Sequence, residues 1–492
     1  MPTSQSERPE SPESPESPES SEALGPVGRA GGEVYDLAVV GAGPAGLAAA
    51  VTAAELGLRC ALVDAGPRPG GQYYRHPAPG LGAARPERLH HGWAAFARLS
   101  GRLKAHTGAR RLDYLTDHHI WTMERGEIWQ LHATLGSEWT GAAGRAVVRA
   151  RSVLLATGAY ERQLPFPGWT LPGVVTAGGA QAMLKSGLVL PGRRIVVAGS
   201  GPLLLAAASS LVSAGAEVPA VVEATDYLHY ARSLATLAAN PAKLVEGARH
   251  GVTLLRHGVR LRRGSAVVEA HGTDRVTAVT VARLDRDWRP VPGTARRIAC
   301  DALAVGHGLV PQIELATELG ARIRRTPDGT VALAVDDGLR TSLPGLWAAG
   351  ETCGVGGADL AVAEGESAAR VIAGRPVPAA LRAFRQRRRA FAELMAAAHR
   401  PGPGWPQWLR ADTEVCRCEE VPAARIREAV TELGAADART VKLLTRAGMG
   451  WCQGRMCGPA VACLSGGGPA RADSRPLARP VPLAQLADLE PS

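Results

Sequence analysis

Residues 35–50, Tyr-Asp-Leu-Ala-Val-Val-Gly-Ala-Gly-Pro-Ala-Gly-Leu-Ala-Ala-Ala, decide the fold of this chain. The apolar run, the glycine-rich turn and the alanine-rich segment predict a strand that turns sharply into a helix. Gly41 permits the tight turn, Gly43 lets a pyrophosphate approach the backbone, and Gly46 lets the helix pack closely on the strand. Because the N-terminus of such a helix also offers free N–H groups to phosphates, the stretch predicts a dinucleotide-binding turn.

Two features that follow extend this predicted site. An apolar strand at 60–63 ends in Asp64, whose carboxylate can accept hydrogen bonds from a ribose. The next turn contains Gly71 and Gln72. A glycine there allows the backbone to approach a flat ring, and the glutamine amide can both donate to and accept from the polar edge of that ring. The alternative for this turn is a plain loop.

A second strand-turn-helix pattern begins at residue 194 and looks like an internal repeat of the first. Gly199 and Gly201 occupy the first two glycine positions, and Glu223 ends the next strand. Leu204 occupies the third position, where a side chain should push helix and strand apart and narrow the phosphate pocket. The residues therefore leave open whether this unit binds NAD(H) or has kept the shape and lost the ligand. If it binds a nicotinamide, Glu223 favours NAD over NADP, because a carboxylate repels a 2′-phosphate.

Two later segments of the sequence are also expected at the first site. Thr157 and Gly158 follow a strand, and Gly350 and Glu351 end another strand before a helical run at 358–372. These motifs resemble those of two-dinucleotide flavoproteins of the glutathione-reductase and thioredoxin-reductase type. The resemblance implies that the first site binds FAD and that the FAD domain is split by an inserted NAD-like domain.

Composition and charge exclude several other classes. The net charge of +10 comes from 52 Arg and only 4 Lys spread along the chain, which favours a compositional bias over a nucleic-acid-binding surface. No apolar run reaches the roughly 18 residues that a membrane span requires, and the N-terminus shows no secretory signal pattern. We therefore expect a cytoplasmic protein, in which clustered cysteines indicate metal or redox chemistry rather than disulfides.

Four of the eight cysteines form two close pairs, Cys416 with Cys418 and Cys452 with Cys457. Four thiolates so arranged suit an iron-sulfur cluster or a tetrahedral zinc ion. A Cys-x-Cys pair is less usual for zinc, and the helical stretches between the pairs resemble the bacterioferritin-associated-ferredoxin (BFD) type of 2Fe-2S domain. This resemblance implies a 2Fe-2S cluster on the four thiolates.

A broader resemblance covers nearly the whole folded chain. Residues 70–73, 159–169, 415–421 and 445–459 are similar to the larger subunit of opine oxidase, D-hydroxyproline dehydrogenase and hydrogen cyanide synthase. This similarity implies an FAD- and 2Fe-2S-containing electron-transfer subunit of a multi-subunit dehydrogenase or oxidase that acts on amines or amino acids. Its expected partner is a smaller flavin-dependent protein of the amine oxidase type, and its expected substrates are opines, hydroxyproline, proline or sarcosine.

Two other functions remain open from the residues. One is a self-sufficient NAD(P)H-dependent flavoprotein reductase that feeds its own 2Fe-2S cluster, and the other is a scaffold that holds cofactors or senses redox state. No residue is assigned a catalytic role. The predicted cofactor ligands are Gly41, Gly43, Pro44, Ala45, Gly46, Asp64, Gly71, Gln72, Thr157, Gly158, Gly350 and Glu351 for FAD, Gly199, Gly201 and Glu223 for the second nucleotide, and Cys416, Cys418, Cys452 and Cys457 for the cluster.

The predicted fold class is α/β, with two Rossmann-like domains and a small helical C-terminal 2Fe-2S domain. The expected division is a disordered tail (1–32), the N-terminal half of the FAD domain (33–190), an inserted NAD-like domain (191–297), the C-terminal half of the FAD domain (298–375), a helical and proline-rich linker (376–411), the 2Fe-2S domain (412–466) and a tail (467–492).

Overall fold

A computed structural model describes residues 33–90, 92–136, 144–226, 230, 233–466 and 477–487. The predicted disordered tail, 1–32, lies outside the described residues. None of the helices within these ranges is long and apolar enough to cross a membrane.

The strands of the described chain are β1 Val34–Val40, β2 Cys60–Val63, β3 Leu112–Leu115, β4 His118–Glu124, β5 Trp129–Leu135, β6 Arg145–Leu155, β7 Ala159–Glu161, β8 Val174–Thr176, β9 Ile195–Gly199, β10 Ala220–Glu223, β11 Arg260–Arg263, β12 Ser265–His271, β13 Ala278–Arg283, β14 Arg296–Ala299, β15 Ala302–Gly306, β16 Leu309–Pro311, β17 Ile323–Arg325, β18 Val331–Leu333, β19 Leu346–Ala348, β20 Glu414–Cys416 and β21 Val421–Pro422.

The α-helices are α1 Pro44–Glu55, α2 Trp93–Gly108, α3 Ala177–Gly187, α4 Leu203–Ser213, α5 Leu234–Ala238, α6 Pro241–Arg256, α7 Glu314–Thr317, α8 Ala358–Ile372, α9 Ala379–Ala398, α10 Ala423–Thr431, α11 Ala438–Thr445, α12 Gly458–Leu464 and α13 Leu483–Ala487.

The first sheet carries the predicted FAD site. Its strand order is β3-β2-β1-β6-β5-β4, and β19 also pairs with β6. Strands β3, β2, β1, β6 and β19 run parallel, whereas β5 and β4 continue the sheet as an antiparallel extension of β6. Since the carboxyl ends of the parallel strands meet at one edge, the turns after β1, β2, β6 and β19 lie together there.

Strand β1 is buried on both faces of this sheet, which explains its unbroken apolar run. Leu37 and Val39 pack with α1 and α8 on one face, whereas Ala38 and Val40 pack on the other face with Trp129 of β5. The first sheet thus separates two hydrophobic cores.

The second sheet forms the inserted domain, with the all-parallel order β11-β10-β9-β15-β8. Strands β8 and β15 lie outside the predicted bounds 191–297 on either side, so this sheet reaches further along the chain than the expected division. The antiparallel strands β12, β13 and β14 form a separate sheet before β15.

The C-terminal domain packs against the inserted domain through aromatic side chains. The rings of Trp288 and Trp408 are stacked with centroids 6.1 Å apart and an interplanar angle of 3°. The indole of Trp169 donates a hydrogen bond to the carbonyl of Glu414 over 2.7 Å. Both contacts belong to one hydrophobic core that also contains Cys416 and Cys457. The four-cysteine region therefore shares a hydrophobic core with the inserted domain.

The chain after the 2Fe-2S region returns to the first sheet. The backbone N–H of Ala478 donates to the carbonyl of Trp121 in β4 over 2.8 Å. The hydroxyl of Thr134 in β5 donates to Gln485 over 2.8 Å. This C-terminal segment, residues 477–487, falls within the range predicted to be a tail.

Candidate cofactor sites

The first glycine turn has the steric tightness that its sequence predicts. Gly41 has a φ of +104°, and a Cβ there would lie 2.4 Å from the carbonyl oxygen of Ala156. A Cβ at Gly46 would lie 1.7 Å from the carbonyl oxygen of Gly41, so helix and strand approach closely. At Gly43 a Cβ would meet no atom within 4 Å. The turn is closed on the protein side and open on the side where a phosphate would approach.

Asp64 lies beside this turn at the end of β2. Its carboxylate accepts a hydrogen bond from the N–H of Gly66 over 3.3 Å. Burial raises the pKa of Asp64 to about 6. Asp64 and Thr157 line, with Gly41, a cavity of about 350 Å³. This volume lies within the range of small-molecule sites. Asp64 therefore opens onto the same cavity as the first glycine turn.

Gly158 and Thr157 form the predicted turn after β6. The hydroxyl of Thr157 donates to the carbonyl of Gln312 over 2.6 Å. The N–H of Gln312 in turn donates to the carbonyl of Gly158 over 2.9 Å. The two bonds tie this turn to the segment between β16 and α7.

Gly71 and Gln72 occupy the loop that covers the first turn. A Cβ at Gly71 would lie 2.8 Å from the Cα of Gly43, so the loop packs directly on the glycine turn. Gln72 is exposed, and its side-chain oxygen accepts a hydrogen bond from Arg75 over 2.7 Å. The loop is therefore adjacent to the predicted FAD site rather than separate from it.

Glu351 is held at the N-terminus of α8. Its carboxylate accepts hydrogen bonds from the N–H groups of Gly356 over 3.0 Å and of Gly357 over 2.9 Å. Burial raises the pKa of this carboxyl. Since each carboxylate oxygen can accept more than one hydrogen bond, Glu351 retains capacity for a cofactor hydroxyl.

The buried carboxylate of Glu364 holds Gly350, the residue before Glu351. Glu364 accepts a hydrogen bond from the N–H of Gly350 over 2.9 Å and forms an ion pair with Arg389 of α9. Helix α8 also packs closely on α1, because a Cβ at Gly365 would lie 2.0 Å from the carbonyl oxygen of Ala45. Pro44 is the first residue of α1. These contacts join the two halves of the predicted FAD domain.

The four predicted cluster ligands come together in the C-terminal domain. The thiols of Cys416 and Cys457 are in hydrogen-bond contact, as are those of Cys418 and Cys452. The Cys457 thiol and the N–H of Gly448, 3.4 Å from the Cys416 sulfur, lower the pKa of Cys416 to about 6. Each contact joins one cysteine of the first sequence pair to one of the second.

Paired thiols suit an iron-sulfur cluster. The Cys457 thiol is close enough to the other three cysteines for each of them to raise its pKa, so the four thiols form one group. A 2Fe-2S cluster needs four protein ligands of this kind. The residues present therefore fit a 2Fe-2S cluster.

The acid and one N–H group of the second glycine turn make contacts within the protein. The buried carboxylate of Glu223 accepts hydrogen bonds from the N–H groups of Gly201 over 3.2 Å and of Thr225 over 3.1 Å. His399, which follows α9, places Nδ1 3.5 Å from Oε1 of Glu223 and 3.1 Å from the hydroxyl of Ser200. These contacts hold Glu223 beside the turn, and each of its oxygens can accept a further hydrogen bond.

Leu204, at the third position of the second turn, is buried in the core of the inserted domain. The close approach of the neighbouring strands occurs at Gly199, where a Cβ would lie 1.7 Å from the carbonyl oxygen of Gly306. The second turn thus keeps a Rossmann-like shape.

Comparison with known proteins establishes the class of the chain. A model of the pyridine nucleotide-disulphide oxidoreductase family matches residues 35–367. The chain belongs to this family. A second model, of the BFD-like [2Fe-2S] binding domain, matches residues 414–464 of the oxidoreductase. The first match implies FAD and the second implies a 2Fe-2S cluster, so both predicted cofactors are confirmed.

Relatives of the oxidoreductase confirm the broader resemblance. It is 36% identical over 443 residues to the HcnB subunit of hydrogen cyanide synthase from Pseudomonas aeruginosa, with 85% of this chain and 90% of that protein covered. It is 33% identical over 482 residues to an opine oxidase subunit of Rhizobium meliloti strain 1021, with 93% and 99% covered.

Solved structures show a similar fold. L-proline dehydrogenase from P. horikoshii matches the oxidoreductase with a TM-score of 0.65 and 19% identity, over 92% of this chain and 79% of that one. The predicted α/β fold class with two Rossmann-like domains and a BFD-like C-terminal domain is confirmed.

Sequence reasoning missed two residues at these sites. Nothing in the local sequence of His399 connects it with Glu223. Arg455 belongs to the cysteine loop, residues 451–457, where it lies between the predicted ligands Cys452 and Cys457, and its Nε donates to Glu314 over 2.8 Å. Its position between two predicted ligands is a sequence signal that could have identified it as a residue of the site.

Proposed function

We propose that this oxidoreductase is the electron-transfer subunit of a multi-subunit dehydrogenase that acts on amines or amino acids. Once bound, FAD accepts a hydride and releases electrons singly, and a 2Fe-2S cluster takes one electron at a time. The chain's own residues would bind and orient these groups. The predicted FAD ligands around Gly41, Asp64 and Glu351 would hold the first, and the four clustered cysteines would hold the second.

The observation that carries the proposal is the packing of His399 and Glu223 at the second glycine turn. Glu223 occupies the N–H of Gly201, and His399 packs against the Glu223 carboxylate. A nicotinamide nucleotide would have to break these buried contacts, so the inserted domain is a poor entry point for electrons from NAD(P)H. This favours a partner protein over NAD(P)H as the electron source, and disfavours the self-sufficient reductase.

The names of the relatives support the partner and the substrate class. HcnB and the opine oxidase protein are subunits of larger enzymes, and the chain is also 32% identical over 346 residues to the alpha subunit of sarcosine oxidase from Rhizobium meliloti strain 1021. We infer a smaller flavin-dependent partner that oxidises a carbon-nitrogen bond in a small amino-acid-type substrate, such as an opine, hydroxyproline, proline or sarcosine. Cysteines that hold a cluster rather than disulfides suit the cytoplasm, where we expect the complex to act.

The test is to co-express the chain with a candidate smaller flavoprotein of the amine oxidase type and to purify the complex by a tag on this chain. Secondary amino acids are then offered with an artificial electron acceptor, and the absorbance of both cofactors is followed anaerobically. We expect substrate-dependent reduction of the cluster only when the partner is present. Reduction of the cluster by NADH in the isolated chain would favour the self-sufficient reductase instead.

A further inference from the structure

The cavity beside the first glycine turn is built by three regions of the chain. The FAD domain contributes Gly41 and Asp64, the cysteine loop of the 2Fe-2S domain contributes Trp451, Cys452 and Arg455, and the C-terminal segment contributes residues 478–480. A residue predicted to bind iron therefore lines the same cavity as the residues predicted to bind the dinucleotide.

This cavity lies at the adenosine end of the predicted FAD site. It includes Asp64, the predicted ribose ligand, and His118 at the start of β4. Its lining, among the described residues, includes neither the loop at 71–72 nor the pair at 350–351, which belong to the predicted flavin end. The 2Fe-2S domain thus approaches the adenosine half of the dinucleotide.

Hydrogen bonds fix the three walls to one another. The Nε of Arg455 donates to Glu314 over 2.8 Å, and its guanidinium also donates to the carbonyl of Ala478. Ala478 in turn donates its N–H to Trp121 of the first sheet over 2.8 Å. Because these bonds connect the cysteine loop in series with the C-terminal segment and the first sheet, a shift of the cysteine loop moves the wall of the cavity.

One cation on these walls lies beside the glycine turn. Arg479 lines the cavity with Gly41 and Asp64. Arg455 also lines it but pairs with Glu314, another lining residue, so its charge is already balanced. Arg479 contacts the Nδ1 atom of His119, and burial lowers its pKa, which means that its charge is partly desolvated. A pyrophosphate brought to the turn would supply a counter-charge to Arg479. Trp451, 63% exposed, adds an aromatic face at the cavity edge.

We propose that the cysteine loop and the C-terminal segment complete the adenosine half of the FAD site, so that FAD binding and cluster assembly stabilise each other. Arg479 and Trp451 are the binding residues, and Arg455 is a positioning residue that joins the loop to the C-terminal segment. By linkage, the factor by which the cluster strengthens FAD binding equals the factor by which FAD strengthens cluster retention. The inference rests on the proposed cofactor sites and goes beyond them.

The experiment measures FAD and ADP affinity in the full chain by titration of the cofactor-depleted protein. Arg479→Gln and Trp451→Ala are compared with two matched controls on exposed faces of α11, Arg439→Gln and Leu443→Ala. We expect both dissociation constants to rise about tenfold in the first two variants, the usual scale of such a coupling, and to stay within about twofold in the controls. Iron content confirms that each variant keeps its cluster.

A second measurement tests the coupling in the unmodified chain. Removing the cluster with a chelator should raise the dissociation constants of FAD and ADP, and bound FAD should slow the chelation. Unchanged affinities in the variants and in the cluster-free chain would overturn the proposal, as would a loss for FAD that ADP does not share. Neither titration needs a partner protein or a substrate, so failure here is distinct from failure of the proposed function.

Discussion

The Nδ1 atom of His399 lies 3.5 Å from the Oε1 atom of Glu223 at the end of β10. We propose that this contact competes with a ribose for the acid of the second glycine turn. NADH added anaerobically at about 1 mM, the upper end of ordinary KM values, is expected to leave the flavin absorbance unchanged. Dithionite, which needs no nucleotide site, should bleach the same band and serves as the control. Bleaching by NADH would contradict the proposed competition.

Gly43→Ala should separate folding from cofactor binding. The added Cβ meets no protein atom within 4 Å, so we expect the chain to fold normally. The methyl group would occupy the space of an approaching phosphate and weaken FAD binding by roughly 10- to 100-fold, the scale of an overpacked contact. Fluorescence titration of FAD measures this. Gly101→Ala in α2, where a Cβ also meets no atom within 4 Å, is the control and should bind FAD normally.

Cys452→Ser should remove the iron-sulfur absorption. Cys452 contacts Cys418 in the four-thiol group, whereas Cys463 is an exposed cysteine of α12 outside that group. We expect Cys452→Ser to lose iron and visible cluster absorption, and Cys463→Ser to keep both. FAD should still bind at saturating concentration, with the lower affinity that the shared cavity implies. Zinc in place of iron in the unmodified protein would show that the cluster assignment is wrong.

Arg162 and Asp328 form a buried ion pair whose loss should be costly. The two side chains are only 5% and 14% exposed. Arg162→Met would leave the carboxylate of Asp328 without its cation and lower the free energy of unfolding by about 3–5 kcal/mol. Urea denaturation measures this, with the exposed Arg325→Met as control, for which a change within about 0.5 kcal/mol is expected. Equal effects of the two substitutions would refute the pairing.

The same pair predicts a pH dependence. Arg162 and hydrogen bonds from Thr326 and Thr330 outweigh burial and hold the pKa of Asp328 below its usual value. A carboxyl whose pKa is depressed by folding adds stability above its unfolded pKa, near 4, and loses it as the pH falls through the folded value. The difference in the free energy of unfolding between the unmodified chain and Arg162→Met should therefore become smaller below about pH 4.

Glu318 should destabilise the chain as the pH rises. Burial raises the pKa of its carboxyl to about 8, although the N–H of Met123 donates to it over 3.2 Å. A carboxyl with a raised folded pKa contributes stability below its unfolded pKa, near 4.3, and loses it as the pH rises through the folded value. Relative to the unmodified chain, the free energy of unfolding of Glu318→Gln should thus increase between about pH 5 and 8. The increase should be on the order of 1–2 kcal/mol after solvent screening.

Thermal or urea unfolding at both pH values measures the Glu318 effect. The exposed Glu432→Gln is the matched control and should show no such trend. A gain for Glu318→Gln that is the same at pH 5 and pH 8 would show that the carboxyl does not titrate in this range.

Local patterns were sufficient for the elements that obey short-range rules. The turn at Gly41 and Gly46 is predictable because the glycines meet within one strand-turn-helix unit. The grouping of the four clustered cysteines is predictable because two close pairs share one domain, and the structure adds the contact of Cys416 with Cys457. The bounds of the second sheet were harder to predict from the sequence. Strands β8 and β15 join this sheet across long insertions, and parallel strands are not connected by a short turn that the sequence would reveal.

The sequence by itself determined the α/β class, the FAD-type glycine turn and the four-thiol cluster site, because each depends on residue types a few positions apart. Only the tertiary structure placed His399 against Glu223 at the second glycine turn and brought Arg455 and Arg479 to the cavity beside the first one. Such contacts depend on how separate elements pack, which no local spacing specifies.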